Sequence, residues 1–87
     1  MLKSHLIQHI SKKNPSLSEE IVSKILNIFF SLIVDYLKND CRVELRGFGS
    51  FTVRSYNIKT ANARLAKSKY KKVYFRASSK FIKIINQ

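Results

Sequence analysis

Leu2, Leu6, Ile7 and Ile10 fall on one side of a helical wheel, which predicts a first helix with Ser4 placed as its N-cap. Lys12, Lys13, Asn14 and Pro15 close that helix, because the residue before a proline avoids the α region. A second helix is predicted from near Ser18 to about Lys38, with Asn39-Asp40 as its exit. Glu19 and Glu20 occupy its first turn, where carboxylates suit the positive end of the helix dipole. Leu17 and Val22 are spaced for a hydrophobic staple, and Ser16 for a capping box with Glu19.

The second wheel is the more informative. At about 100° per residue, Ser23, Lys24, Asn27, Ser31, Asp35 and Lys38 gather in a stripe roughly 120° wide. Apolar residues from Ile21 to Leu37 fill nearly all the remaining arc. A surface helix of a small monomer needs a little over 100° of apolar face. Two helices and one small sheet cannot cover more than twice that, whereas a second copy of the chain can. This helix is therefore expected to form the core of an intertwined homodimer.

Beyond the helices the period changes to two. Val43 and Leu45 alternate with Arg42, Glu44 and Arg46, the pattern of a half-buried strand, and Phe51 and Val53 resume it after a tight turn. The chain's two glycines, Gly47 and Gly49, bracket Phe48 at that corner, where the backbone needs positive φ or close approach. Residues 57–68 carry no glycine, no proline and little periodicity. Lys69 to Arg76 reads as a return strand in which Tyr70, Tyr74 and Phe75 interleave with bases. Ser78 or Ser79 is placed to cap a short last helix bearing Phe81, Ile82, Ile84 and Ile85, with Lys80 and Lys83 on one face.

Charge sharpens this picture once it is located along the chain. The net charge is +12, yet residues 1–44 carry six Lys/Arg against five acids, while residues 45–87 carry eleven and no acid. A nearly neutral half joined to a basic half suggests that one assembles the protein and the other meets a polyanion. A merely solvated surface mixes both signs. At 87 residues the chain makes one domain, marginal alone, for which dimerisation is expected. Its 45% hydrophobic content argues for a folded core. The single cysteine, Cys41, excludes an intramolecular disulfide framework and a cysteine-based zinc cluster. It is expected as a reduced, small hydrophobe at a strand edge.

The N-terminus lacks a signal-peptide h-region, and no stretch reaches the roughly 20 apolar residues that span a bilayer. A cytoplasmic protein is expected, with no membrane partner. Candidate chemistry is sparse. His5 and His9 stand at i, i+4, but no acid or cysteine nearby offers a third ligand, so no metal and no cofactor are expected. The basic half has no Asp, Glu or His from which to build a catalytic site, and neither an enzyme nor a small-molecule substrate is expected.

Arg46-Gly47-Phe48-Gly49-Ser50-Phe51 resembles the turn signature of the HU/IHF family of bacterial histone-like DNA-binding proteins, and the likeness covers nearly the whole chain. A second anchor is Phe75, followed by Ser78 at a usual glycine and Phe81 at a usual leucine. The resemblance implies an α+β intertwined dimer: two N-terminal helices, a three-stranded antiparallel sheet with an extended β-arm, and a short C-terminal helix. It divides the single domain into a helical dimerisation part (1–40), sheet and arm (41–76) and last helix (77–87). It implies Phe48, Phe51 and Phe75 as dimer-core aromatics, joined from the helix wheel by Ile25, Phe29, Phe30, Leu32 and Ile33. It further implies arms that embrace the DNA minor groove, with Lys3, Arg46, Lys80 and Lys83 on phosphates at the flanks.

The departure from the family falls in the arm tip. Where relatives carry glycine and an intercalating proline, this chain has Lys59-Thr60-Ala61-Asn62-Ala63-Arg64-Leu65, in an arm a few residues shorter. Of these only Asn62 readily takes a left-handed conformation, and Leu65 is a candidate apolar wedge. Weaker or different bending is expected.

The expected function is that of a nucleoid-associated protein binding double-stranded DNA with low sequence specificity, as a homodimer or with a paralogue. The remaining candidate contacts are Arg54, Lys67, Lys69, Lys71, Lys72 and Arg76. Two alternatives use other partners. An RNA-binding protein of ribosome or RNA metabolism would use the same bases, with Tyr56, Tyr70 and Tyr74 stacking on unpaired bases. A cationic membrane-surface protein fits less well, since the bases lie mainly outside the apolar helix.

Overall fold

The computed structural model describes residues 1–57 and 69–87, with Asn57 and Lys69 as backbone only. The elements run α1 (Lys3–Lys13), α2 (Glu19–Lys38), β1 (Val43–Leu45), β2 (Gly49–Asn57), β3 (Lys69–Ala77) and α3 (Ser79–Ile85). They divide into two compact units, Met1–Val34 and Asp35–Gln87, the boundary falling within α2.

In the first unit, helix α1 is capped two residues before the expected serine. Leu2 takes the extended cap conformation, and its N–H donates to Nδ1 of His5 at 3.4 Å. Ser4 lies inside the first turn. The other end closes as expected: the Asn14 N–H and its side-chain amide both donate to the Ile10 carbonyl. Helix α2 is capped by Ser18, whose hydroxyl accepts from the Ile21 N–H at 3.2 Å, so Ser16 does not form the expected capping box. That cap puts Leu17 and Val22 at the two staple positions. Val22 is only 2% exposed. The Ser11 hydroxyl donates to the Leu17 carbonyl at 2.8 Å and ties the loop to α1.

In the second unit, α2 ends in a Schellman motif. The Cys41 N–H donates to the Tyr36 carbonyl at 2.9 Å and the Asp40 N–H to that of Leu37 at 3.1 Å. The residue between them must be left-handed, and it is Asp40, at φ 59, where glycine is usual. An L-residue there costs about 1–2 kcal/mol. An acid also opposes the negative end of the helix. Asp40 regains part of this by pairing with Lys71 at 3.1 Å, an exposed ion pair worth less than about 1 kcal/mol. We therefore predict that Asp40→Gly raises stability by about 1 kcal/mol, read as a higher thermal midpoint; an unchanged or lower midpoint refutes this account.

The sheet has the order β1-β2-β3, antiparallel throughout. Leu45 pairs with Gly49 across a turn of Arg46, Gly47 and Phe48, in which the Phe48 N–H donates to the Leu45 carbonyl at 2.9 Å. Gly47 takes φ +82, as the third residue of a type II turn requires. Phe51 faces Phe75, Val53 faces Val73, and the register holds to Asn57 and Lys69. Past β3, the Ser78 N–H reaches the Phe48 carbonyl at 3.0 Å, and the Ser78 hydroxyl accepts from the Phe81 N–H. Ser78, of the two candidates, is thus the cap of α3.

Four phenylalanines join these elements. Phe51 stacks on Phe75 with ring centroids 4.9 Å apart, Phe48 stacks on Phe75 at 5.3 Å, and Phe81 meets Phe48 edge-on at 5.1 Å. Yet Phe48 and Phe75 stay more than 40% exposed, and among the described residues only Val22 and Leu37 are buried hydrophobics. Ile25, Phe29, Phe30 and Leu32 are likewise exposed on α2, with Ile33 and Phe51 half-buried. Cys41 is exposed beyond the end of α2, rather than tucked at a strand edge.

Candidate nucleic-acid interface

Successive residues of a strand point to opposite faces, so the register assigns each base to a side. Phe51, Val53, Val73 and Phe75 make one face apolar. The other carries the cross-strand pairs Ser50–Arg76, Thr52–Tyr74, Arg54–Lys72 and Tyr56–Tyr70. A groove there is lined by Arg42, Ser50, Thr52, Arg54, Tyr74, Phe75 and Arg76. A second concavity at the hairpin corner is lined by Arg42, Arg46 and Arg76 together with Glu44, Ser78 and Ser79. The Lys80 stem lies beside the Gly47 turn, where a Cβ added to the glycine would meet Cδ at 3.8 Å. Arg46, Arg54, Lys72, Arg76, Lys80 and Lys83 are all exposed.

Lys71 and Lys3 are hydrogen-bonded within the protein. Lys71 follows the phase of Val73 and Phe75, the opposite of Lys72, and its ammonium donates to the Lys38 carbonyl at 2.8 Å beside Asp40. Lys71 therefore holds the last turn of α2, where a cation complements the helix dipole. In the first unit the Lys3 ammonium hydrogen-bonds the Asn27 side chain and stands 5.9 Å from the Phe30 ring centroid. Lys59, Asn62, Arg64, Lys67 and the candidate wedge Leu65 lie outside the described residues, as does the Lys69 side chain.

Arg42, absent from the expected contacts, lines both the groove and the corner concavity. Its signal was present in the sequence: it shares the phase of Glu44, on the polar side of β1. Its ion pair with Glu44, at 3.9 Å and well exposed, is too weak to hold it.

The Tyr56 and Tyr74 hydroxyls meet at 2.7 Å. The Arg54 guanidinium lies 4.7 Å from the Tyr74 ring centroid and the Lys72 ammonium 5.7 Å from that of Tyr56. Either hydroxyl can donate in this bridge. The Tyr74 hydroxyl stabilises a Tyr56 phenolate and draws Tyr56 below the ordinary tyrosine range, with Arg54 and Lys72 adding to the effect. The same bond pushes Tyr74 up.

An exposed sheet face built from arginine, lysine and tyrosine, with an apolar face behind it, defines a small basic α+β nucleic-acid-binding protein. Comparison with known proteins agrees. A family profile described as bacterial DNA-binding protein matches residues 1–86. The fold is similar to that of a point variant of HU from Thermotoga maritima, at 25% identity and TM-score 0.74, over 98% of this chain and 99% of that one. It is also similar to HU from Anabaena in a cocrystal with DNA, at 20% identity and TM-score 0.76, over 98% and 97% of the two chains. The chain belongs to the bacterial DNA-binding protein family of which HU is a member. Among the described residues, no helix is long and apolar enough to cross a membrane.

Proposed function

We propose that the protein binds double-stranded DNA as a homodimer, with little sequence preference, and that it organises and bends the duplex. The observation that carries this reading is the segregation of the sheet. Arg54, Lys72 and Arg76 share one face with a groove that Arg42 completes, and Phe51, Val53, Val73 and Phe75 share the other with Ser55 and Lys71. Guanidinium and ammonium groups on an exposed sheet suit phosphates, which position a protein on a duplex without reading its sequence. Arg46, Lys80 and Lys83 extend the cationic surface along the flank, and the basic arm would enter the minor groove.

The uncovered apolar side chains of α2 support the dimer. The RNA reading draws less support, because the rings of Tyr56 and Tyr74, which would have to stack on bases, already carry Lys72 and Arg54.

Duplex binding across a salt series is the test. Two variants are compared with wild type: Arg42, Arg54, Lys72 and Arg76 to Gln for the face, and Lys59, Arg64, Lys67 and Lys69 to Ala for the arm. Each is expected to flatten the slope of log K against log salt by about 0.9 for every phosphate that the variant no longer neutralises. Wild-type slopes in both would remove the site from sheet and arm alike. Single-stranded RNA that outcompetes the duplex would favour the RNA reading. In a DNA-circularisation assay, the arm without glycine or proline is expected to give less closure than HU.

A further inference from the structure

Arg54 and Lys72 stand directly opposite each other in the β2–β3 register. Like charges in that position repel and destabilise a sheet, and no acid pairs with either among the described residues. Tyr56 and Tyr74 flank the pair on the diagonal, one on each strand, and their hydroxyls meet at 2.7 Å. Each cation is drawn to one ring, Arg54 to Tyr74 and Lys72 to Tyr56. The rings offset part of the repulsion by cation–π attraction, and the bridge holds the rings in place. All four side chains are exposed, so neither cation is sealed from solvent.

We infer that Tyr56 and Tyr74 are positioning residues that hold Arg54 and Lys72 as a preset two-cation seat for a DNA phosphodiester, a role that rests on the duplex-DNA reading above. Two unpaired cations side by side are costly in the free protein, and a phosphate bound between them relieves that cost. The seat therefore favours the bound state twice, by attraction and by relief of repulsion. Holding long side chains in one geometry before binding also removes the entropy that ordering them would otherwise cost. Tyrosine suits the task because its ring attracts the cation while its hydroxyl locks the partner ring. Tyr70, opposite Tyr56, is the remaining titratable group of this cluster.

The test keeps the charge of the protein constant in the tyrosine variants. Tyr56→Leu/Tyr74→Leu removes rings and bridge, Tyr56→Phe/Tyr74→Phe removes the bridge alone, and Arg54→Gln/Lys72→Gln removes the seat. Duplex affinity is measured across salt at a temperature where circular dichroism shows every variant folded. The leucine pair is expected to lose at least tenfold in affinity and to fall to the salt slope of the glutamine pair. The phenylalanine pair is expected to retain most of the slope and to lose about threefold.

Tyrosinate absorbance supplies a readout that a purely structural role would not move. In difference titrations of wild type against Tyr56→Phe, the tyrosinate steps of the Tyr56–Tyr74 pair are expected at higher pH with duplex bound, because the phosphate neutralises the cations that favour the phenolate. A leucine pair with wild-type affinity and slope, or tyrosinate steps that ignore the duplex, overturns the seat. Wild type that binds no duplex at all overturns instead the reading on which the seat rests.

Discussion

Gly49→Ala is expected to destabilise the protein by about 3 kcal/mol, the upper range for overpacking a well-filled site. A Cβ on Gly49 would lie 2.5 Å from the Arg76 carbonyl oxygen and 2.5 Å from the Phe75 ring. The carbonyl is backbone in the adjoining strand and cannot swing aside. The ring is held between Phe48 and Phe51 and cannot leave without breaking both stacks. Gly47 supplies the contrast. Its turn needs φ +82, but an added Cβ meets only the flexible Lys80 stem at 3.8 Å. Gly47→Ala should therefore cost only the left-handed strain, about 1 kcal/mol. Chemical denaturation of both variants reads the difference, and equal costs would refute the separate roles argued for the two glycines.

Leu32→Glu is expected to abolish the proposed homodimer. Leu32 is 51% exposed in the single chain, so an isolated subunit would leave the carboxylate largely solvated. In a dimer that covers α2, the same charge would be buried without a partner, at a cost of about 3 kcal/mol or more in each subunit. Two copies weaken association by about 6 kcal/mol, roughly ten-thousandfold in dissociation constant. With so few hydrophobics buried in one chain, loss of the partner should also lower the thermal midpoint and remove its dependence on protein concentration. Sedimentation equilibrium and circular dichroism at several concentrations test this. A Leu32→Glu protein that stays dimeric would exclude this face of α2 from the interface.

Much of the site was legible because it depends on period and charge alone. The second helix, the alternating strands and the unmixed cations of residues 45–87 all follow from local pattern, which side-chain geometry converts directly into faces. Parity even separates Lys71 from Lys72, since adjacent residues of one strand point to opposite faces. Arg42 was overlooked because it sits in the neutral half by composition but on the cationic face by phase.

Residues close together in the chain settle the set of elements, their apolar sides, the helix exit at Asn39-Asp40 and the cationic half. These rest on interactions within a few residues, whose geometry the backbone dictates. Only the tertiary structure decided that Lys71 holds the end of α2, that Gly49 is small because Phe75 fills its space, and that Tyr56 reaches Tyr74 across the Arg54–Lys72 pair. Each of these joins residues well separated along the chain, and their meeting depends on strand register and on how the chain returns upon itself. Hydrophobic periodicity says which way a side chain points; pairing register says whom it meets.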